Sequence, residues 1–371
     1  MVPALSPFVA VGGAIAARAV PIAAFIALPV LLMALLRGRW FCRALCPVGL
    51  LTEQADRFSL GKASWTARVP RLGRAFALLT LGGACLGYPL FLWLDPLAIF
   101  SGAFGASRTL LAAAPLLGVL ALGLILPGAW CGRLCPLGAS QELLLACKSI
   151  LPKPPAGSEP AGGLRRRAWL RLAGGAVLAA AGAGLALLMR RLAFGWAHPP
   201  IRPPGALEEG RFAGTCTRCG NCIRGCPTHI LHPDLAAERP ESWLAPVALF
   251  EGGYCREKCA ACSEVCPSGA ITRFHPKSKN RIAMGLAKVE LELCHLANGH
   301  ECQICQRDCP FEAIAYVWDE AAYSRVPVID AARCTGCGAC QLACPCSSAP
   351  DDPPPRKAIR IEARRAILPP P

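Results

Sequence analysis

The chain has 371 residues, 23 of them cysteine, with 39 Lys+Arg against 24 Asp+Glu, and its mean hydropathy is +0.40. It is too apolar to be disordered. With 17% charged residues it is poor in charge for an ordinary soluble enzyme, which carries about 25%. It is also too long for a disulfide-stapled mini-domain, usually under about 80 residues. The excess charge is one-sided: residues 1–200 hold 19 basic and 5 acidic side chains, and residues 201–371 hold 20 and 19. A nucleic-acid-binding protein would gather such an excess on a soluble face. Here it lies between apolar segments, so it reads as a topology signal, and no nucleic acid is expected as a partner.

Four apolar stretches, residues 20–36, 75–94, 109–126 and 172–189, carry 17 to 20 residues each. At about 1.5 Å rise per residue they nearly match a hydrocarbon core of about 30 Å. Pro21, Pro29 and Pro89 fall inside two of them, which a bundle tolerates when neighbouring helices satisfy the freed carbonyls. Buried helices of a soluble core would show the same composition. The loop at residues 37–74 carries eight Lys/Arg and the loop at 127–171 carries seven. Only Arg18 and Arg108 occupy the opposite side. The positive-inside rule then puts both loops in the cytoplasm and both termini outside. Arg190 and Arg191, just beyond the last stretch, run against it.

A repeat is visible at an offset of 89 residues. Ser6-Pro7 aligns with Asp95-Pro96, Cys42 with Cys131, Cys46-Pro47 with Cys135-Pro136, Gly49 with Gly138 and Glu53 with Glu142. Ser6-Pro7 and Asp95-Pro96 have the chemistry of a helix N-cap with proline behind it, which we prefer to a proton-relay role for Asp95. The stretch before the second repeat has no counterpart before the first, so a lost helix or a late start site is expected. Each repeat ends in Cys-x-x-x-Cys-Pro. Cysteines four apart share one helix face, and the two pairs, Cys42/Cys46 and Cys131/Cys135, could converge on the inner side. Four thiolates there would hold a further iron–sulfur cluster or act as redox thiols; four cysteines that only pack would look the same. Cys85 and Cys147 read as packing residues.

Residues 152–163, rich in Pro and Gly, read as a linker. Arg165-Arg166-Arg167-Ala168-Trp169-Leu170-Arg171 then resembles a twin-arginine export signal, a receptor-read address. Plain positive-inside anchoring gives the same topology. No small-x-small cleavage site is clear after Met189, so an uncleaved anchor is expected.

Four cysteine runs follow: Cys216, Cys219, Cys222, Cys226; Cys255, Cys259, Cys262, Cys266; Cys294, Cys302, Cys305, Cys309; and Cys334, Cys337, Cys340, Cys344. Each ends in Cys-Pro. The first and last follow the bacterial ferredoxin spacing, in which three close cysteines clamp one cubane and the fourth reaches the other cluster of a pair. The second opens with a three-residue gap and the third with seven. Structural zinc usually pairs two short runs instead. Without Cys-x-x-Cys-His there is no c-type haem attachment. The expectation is four [4Fe–4S] clusters on these sixteen cysteines. His229, His232, His295 and His300 read as surface or cluster-shielding residues, and Cys346 as a bystander. Short apolar pieces at residues 270–272, 313–315, 328–330 and 358–361 look like small ferredoxin strands.

The fold class expected is therefore an α-helical membrane domain of about four transmembrane helices with an internal repeat, joined to a small α+β bacterial-type ferredoxin domain with four cluster motifs. The divisions are residues 1–150, a linker with twin-arginine-like segment and anchor helix at 151–200, and the polyferredoxin at 201–371.

On Cys42/Cys46 and Cys131/Cys135 the first half resembles the NapH/MauN ferredoxin-type membrane proteins. On its arginine segment, Ile201-Arg202-Pro203-Pro204-Gly205-Ala206 and the Cys216 run, the second half resembles NapG/MauM polyferredoxins. A cytoplasmic ferredoxin tail and an extra first span, both usual in NapH-type proteins, are not seen. The resemblance implies an electron-transfer component of a quinol dehydrogenase-type system. It would sit in the bacterial inner membrane as a multi-pass protein among lipid, with the ferredoxin domain periplasmic, and pass electrons from the quinol pool to a periplasmic cytochrome or reductase. A maturation factor supplying electrons for a partner's cofactor assembly is the alternative. A cytoplasmic ferredoxin domain follows if the fourth stretch does not cross.

Overall fold

The two copies of the repeat build the same sequence of elements. The computed structural model describes residues 2–61, 63–105, 110–150, 166–194, 199–296, 298–320, 323–348 and 356–363. The expected linker at 152–163 and Arg165 lie outside the described residues. The first repeat comprises α1 (Pro7–Ala17), a 3-10 segment at Ile22–Ala27, α2 (Leu28–Arg37), the short α3 (Trp40–Ala44) and α4 (Pro47–Arg57). After α5 (Ala63–Arg68) and α6 (Gly73–Cys85), the second comprises α7 (Pro96–Ala103), α8 (Ala114–Ile125), a π-helical turn at Trp130–Leu134 and α9 (Pro136–Ile150).

The caps follow the sequence signal. Ser6 accepts from the Val9 amide, and Asp95 accepts from the Leu97 and Ala98 amides. Each is followed by proline, whose missing N–H is an orphan donor at that position anyway. The two caps also meet: Ser6 Oγ donates to Asp95 Oδ1 at 2.5 Å, and both residues are fully buried. Residues equivalent in the repeat thus touch each other, as they do on a pseudo-two-fold axis.

The expected spans divide. Residues 172–189 lie within α10 (Arg166–Phe194), where Leu172–Arg191 is long and apolar enough to cross a membrane and only 11% buried within the chain. The other apolar helices run 10–17 residues. Residues 20–36 split at Pro29 into the 3-10 segment and α2. Residues 75–94 stop as a helix at Cys85, where Gly87 takes φ +81° and Pro89 follows, a conformation that ends a helix. Residues 109–126 become α8 behind Pro115. α10 packs along α6 through glycines. A Cβ on Gly82 would lie 1.9 Å from Ala179 O, and one on Gly182 would lie 2.3 Å from Leu79 O. Small residues let two apolar helices approach this closely without water.

The second half holds short helices and two-stranded antiparallel sheets around its cysteines. α11 (Glu209–Thr215) leads into the first run and α12 (Asn221–Arg224) lies within it. β1 (Leu231–Pro233) pairs with β2 (Pro246–Ala248). α13 (Ala261–Glu264), α14 (Ile304–Arg307) and α15 (Ala339–Ala343) sit in the other three runs. β3 (Gly285–Val289) pairs with β6 (Ile359–Ala363), and β4 (Ile314–Asp319) forms a hairpin with β5 (Ser324–Ile329). Three of the four expected strand pieces fall on or beside β4, β5 and β6. The piece at 270–272 makes only an isolated bridge, Ile271 to Ala206. The core of this half counts nine cysteines among its buried members, so thiols stand where a larger domain would have aliphatic side chains.

The two halves dock directly. Ser101 Oγ, in α7, donates to Asn221 Oδ1 at 3.1 Å, and Arg224 Nη2 donates back to Ser101 Oγ at 2.9 Å. Arg211 Nη2 donates to Ala16 O at the end of α1. A Cβ on Gly13 would lie 2.5 Å from Ser268 O, and one on Gly105 would lie 2.8 Å from Gly220 Cα. These glycines let the ferredoxin backbone rest on the helix ends.

Candidate iron–sulfur sites

The four runs gather into four groups, and each group takes its fourth thiol from another run. Cys216, Cys219 and Cys222 line one cavity together with Cys266 of the second run. Cys334, Cys337 and Cys340 line another together with Cys309 of the third. The other two groups are seen in the charges that act on each thiol. Cys255, Cys259 and Cys262 are joined by Cys226, and Cys294, Cys302 and Cys305 are joined by Cys344. The first run therefore exchanges its last cysteine with the second, and the third with the fourth. The sequence left this pairing open.

Local geometry explains the spacing. Gly220 and Gly338 take φ +69° and +87°, left-handed values that glycine adopts without strain. Each turns the chain so that α12 or α15 can carry the run's third cysteine inward. The proline after each fourth cysteine fixes the exit of the loop. Amides then point at sulfur: Ile271 N donates to Cys266 Sγ and Ala313 N to Cys309 Sγ, both at 3.4 Å.

The donor set fits iron–sulfur clusters. Burial pushes the Cys216 and Cys262 thiols up to about 12 and Cys337 up to about 11. Crowded neighbouring thiols add to the effect. Thiols that resist ionisation in an apolar pocket are poor nucleophiles, so free redox chemistry is disfavoured there. A bound metal supplies the missing positive charge and takes them as thiolates. One side chain already provides some of that charge. Lys279 is 2% exposed, and its Nζ donates to Cys255 Sγ at 3.0 Å and to Arg256 O. Sequence pattern gave no hint of it, since Lys279 lies 13 residues past the second run in an unremarkable basic segment, Pro276–Arg281.

The groups fall into a row. The Cys216 group lies against the helical half through Asn221 and Gly220. The Cys255 amide donates to Cys337 O at 2.8 Å, which joins the second group to the Cys334 group. The Cys294 group lies at the far end, where Tyr316 of the β4–β5 hairpin places its hydroxyl 3.7 Å from Cys305 Sγ and Trp318 is exposed. Of the histidines, His295 and His300 stack edge to face at 5.7 Å near this end. Cys346 sits beside the Cys344 group rather than apart: Cys344 Sγ approaches Cys346 O at 3.7 Å.

The Cys-x-x-x-Cys-Pro pairs do converge. Cys46 and Cys131 act electrostatically on Cys42, and Cys42, Cys46 and Cys131 all act on Cys135. The contacts obey the repeat. Cys42 Sγ faces Gln141 Oε1 at 3.7 Å, and Thr52 Oγ1 faces Cys131 Sγ at 3.3 Å. Thr52 and Gln141 are themselves 89 apart, so one contact is the symmetry mate of the other. Arg39 closes the group, donating to Cys131 O at 3.1 Å and pairing with Glu142 at 2.9 Å. Cys85 is exposed. The side chain of Cys147 lies outside the described residues.

Crossed cysteine runs, buried thiols and short antiparallel strands define a ferredoxin-type iron–sulfur protein. The comparisons agree. A family model described as "4Fe-4S binding domain" matches residues 19–66 and 109–154, and a second with the same description matches residues 325–345. The chain is 38% identical over 157 residues to the methylamine utilization ferredoxin-type protein MauM of Methylophilus methylotrophus, covering 40% of this chain and 68% of that protein. It is 35% identical over 199 residues to the ferredoxin-type protein NapG of Escherichia coli, covering 50% of this chain and 83% of that protein. The ferredoxin-type protein NapF of E. coli matches at 30% over 148 residues, 40% of this chain and 82% of that protein. The chain belongs to the NapG/MauM family of ferredoxin-type proteins. No solved structure matches it.

Proposed function

We propose that the chain is a membrane-anchored iron–sulfur electron-transfer protein, passing electrons from the quinol pool through four [4Fe–4S] clusters to a periplasmic cytochrome or reductase. The observation that carries this reading is the row of crossed thiol groups running from the helical half to an exposed far end. Sixteen cysteines would hold the clusters: Cys216, Cys219, Cys222 and Cys266; Cys255, Cys259, Cys262 and Cys226; Cys334, Cys337, Cys340 and Cys309; and Cys294, Cys302, Cys305 and Cys344. A bound cubane supplies one-electron chemistry at a potential set by its thiolates, hydrogen bonds and burial. The chain's own residues hold the thiolates, aim amides at Cys266 and Cys309, and place the Lys279 charge at Cys255.

Residues 1–150 would form the membrane domain, residues 151–200 the linker and anchor with α10 crossing the bilayer, and residues 201–371 the periplasmic domain. The multi-pass arrangement rests on the Lys/Arg content of the loops at 37–74 and 127–171 and on the apolar exposure of Phe25, Leu32, Leu36 and Leu117. Shorter helices suit this arrangement where several pack together and leave no lipid-exposed backbone. Cys42, Cys46, Cys131 and Cys135 would hold a fifth cluster. Their mutual approach supports it, as does the 4Fe–4S family model matching both segments that contain them.

The test is reduction of the full-length protein in phospholipid nanodiscs by a hydroquinone under anaerobic conditions, followed by electron paramagnetic resonance. Cluster reduction by hydroquinone and by dithionite is expected. Reduction by dithionite alone, whichever hydroquinone is supplied, would sink the quinol reading and favour the maturation role.

A further inference from the structure

A mostly apolar cavity lies at the seam between the two halves and borders the loop between Cys216 and Cys219. Its volume is about 330 Å³, within the range of small-molecule sites. The helical half contributes Tyr88, Trp93 and Ile99, together with Leu185 and Met189 of α10; the ferredoxin half contributes Thr217, Arg218, Glu241 and Trp243. Leu185 and Met189 belong to the one helix, among the described residues, long and apolar enough to cross a membrane, so one wall is shared with the lipid-facing span. The opposite wall is the loop between Cys216 and Cys219.

The polar groups sit at that inner end. Arg218 is wedged under Trp93, its guanidinium carbon 5.2 Å from the ring centre, and its Nη2 donates to Glu241 O at 2.6 Å. Its Nε is buried and has no hydrogen-bond partner among the described residues. A buried donor left unpaired costs about 1–3 kcal/mol, and a guanidinium beneath an apolar cavity is unusual unless a ligand oxygen completes it. Arg218 also holds a left-handed backbone, φ 58°, a sparsely used conformation that persists where the surroundings impose it. The aromatic walls suit a flat ring. The half-buried Glu241 offers a proton acceptor between cavity and solvent.

We propose that this cavity is the binding site for a lipid-soluble hydroquinone, entering past Leu185 and Met189 with one ring oxygen on Arg218. The inference rests on the electron-transfer reading above and deepens it. The reaction balances as hydroquinone giving quinone, two electrons and two protons. Cys216, Cys219, Cys222 and Cys266 would hold the iron–sulfur group that supplies the one-electron oxidant, taking the electrons one at a time, and the terminal acceptor would reoxidise it. The protons leave through the Glu241 carboxylate to solvent. The ring's flat face lies between Trp93 and Trp243, and the isoprenoid tail lies along α10.

The experiment uses the full-length, cluster-loaded protein in phospholipid nanodiscs and a 2-alkyl-4-hydroxyquinoline N-oxide, a redox-inert ring of hydroquinone shape. Quenching of tryptophan fluorescence reads binding without turnover, and solvent extraction followed by mass spectrometry reads what co-purifies. Wild-type protein is expected to bind the N-oxide saturably and to carry quinone. Leu185→Phe, at the partly exposed mouth, is expected to weaken binding about tenfold and to lose the quinone. Glu241→Gln is expected to bind normally and to slow cluster reduction by hydroquinone about tenfold, with reduction by dithionite unchanged. Saturable binding that Leu185→Phe leaves intact, or phospholipid extracted in place of quinone, would overturn the site while leaving the electron-transfer reading standing. No binding, together with no cluster reduction by any hydroquinone, would overturn both.

Discussion

Both halves of this chain bring four thiols together from two separate segments, but they divide the labour differently. In the ferredoxin half a single run supplies three thiols over a few residues, and the fold adds only the fourth, as Cys266 joins Cys216, Cys219 and Cys222. In the helical half each segment supplies only two, and the fold must bring the other pair from 89 residues away. The first device depends on loop geometry, on Gly220 and Gly338 at positive φ. The second depends on the packing of whole helices and on the Ser6–Asp95 contact at the pseudo-axis. A local device is robust and needs its metal to complete the core. A packed device is robust without metal and fragile to changes in helix contact.

The largest effect that would separate them is iron removal. Structural metal sites in small domains supply on the order of 10 kcal/mol of folding free energy. Chelation is therefore expected to unfold residues 201–371 while leaving the helical half's circular dichroism in place. Acidification should assist, because protons compete for thiolates. Burial raises Cys216 and Cys262 to about 12, so their neutral forms are favoured at every pH below that value. Helix loss in parallel with iron loss would erase the distinction. Next, Cys266→Ser is expected to remove one cluster's iron and specifically the signal of the Cys216 group. Loss of the Cys255 group's signal instead would contradict the crossed pairing.

Packing changes should do the reverse. Gly82→Leu forces a side chain into Ala179 O and should cost about 3 kcal/mol, the upper part of the overpacking range. Thermal unfolding of the helical half is expected to shift down with iron content unchanged. Within the ferredoxin half, Lys279→Met should leave the cluster count intact. Removing a buried positive charge beside Cys255 disfavours the reduced form, lowering that cluster's potential by about 60 mV, a tenfold change for one electron; redox titration followed by electron paramagnetic resonance reads it. The smallest contrast lies between two repeat-related residues. Glu142 bridges Arg39 and Arg74, so Glu142→Ala should cost about 0.5–1 kcal/mol. Glu53 makes only an exposed pair with Arg57, and Glu53→Ala is expected to leave the melting temperature unchanged.

Much of this was legible beforehand. Cys-Pro runs, the 89-residue offset and the Ser6-Pro7 and Asp95-Pro96 caps are local signals, set by spacing and by proline's fixed geometry. The lengths of the apolar helices were not, because Gly87 and Pro29 interrupt stretches whose hydropathy is continuous. Lys279 and Arg218 carried no pattern at all, since each acquires its role from what the fold lays against it.

The sequence by itself therefore determined the chemistry: which cysteines are ligand candidates, that they cluster in threes and twos, and that residues 172–189 are apolar enough to cross a membrane. Thiol spacing within a run is short enough for the covalent chain to dictate it. The tertiary structure alone decided which runs exchange their last cysteine, that the two Cys-x-x-x-Cys-Pro pairs meet, and that a cavity opens beside the first group. Those are contacts between separate segments of the chain, where the packing of helices and loops, and not local geometry, selects the partner.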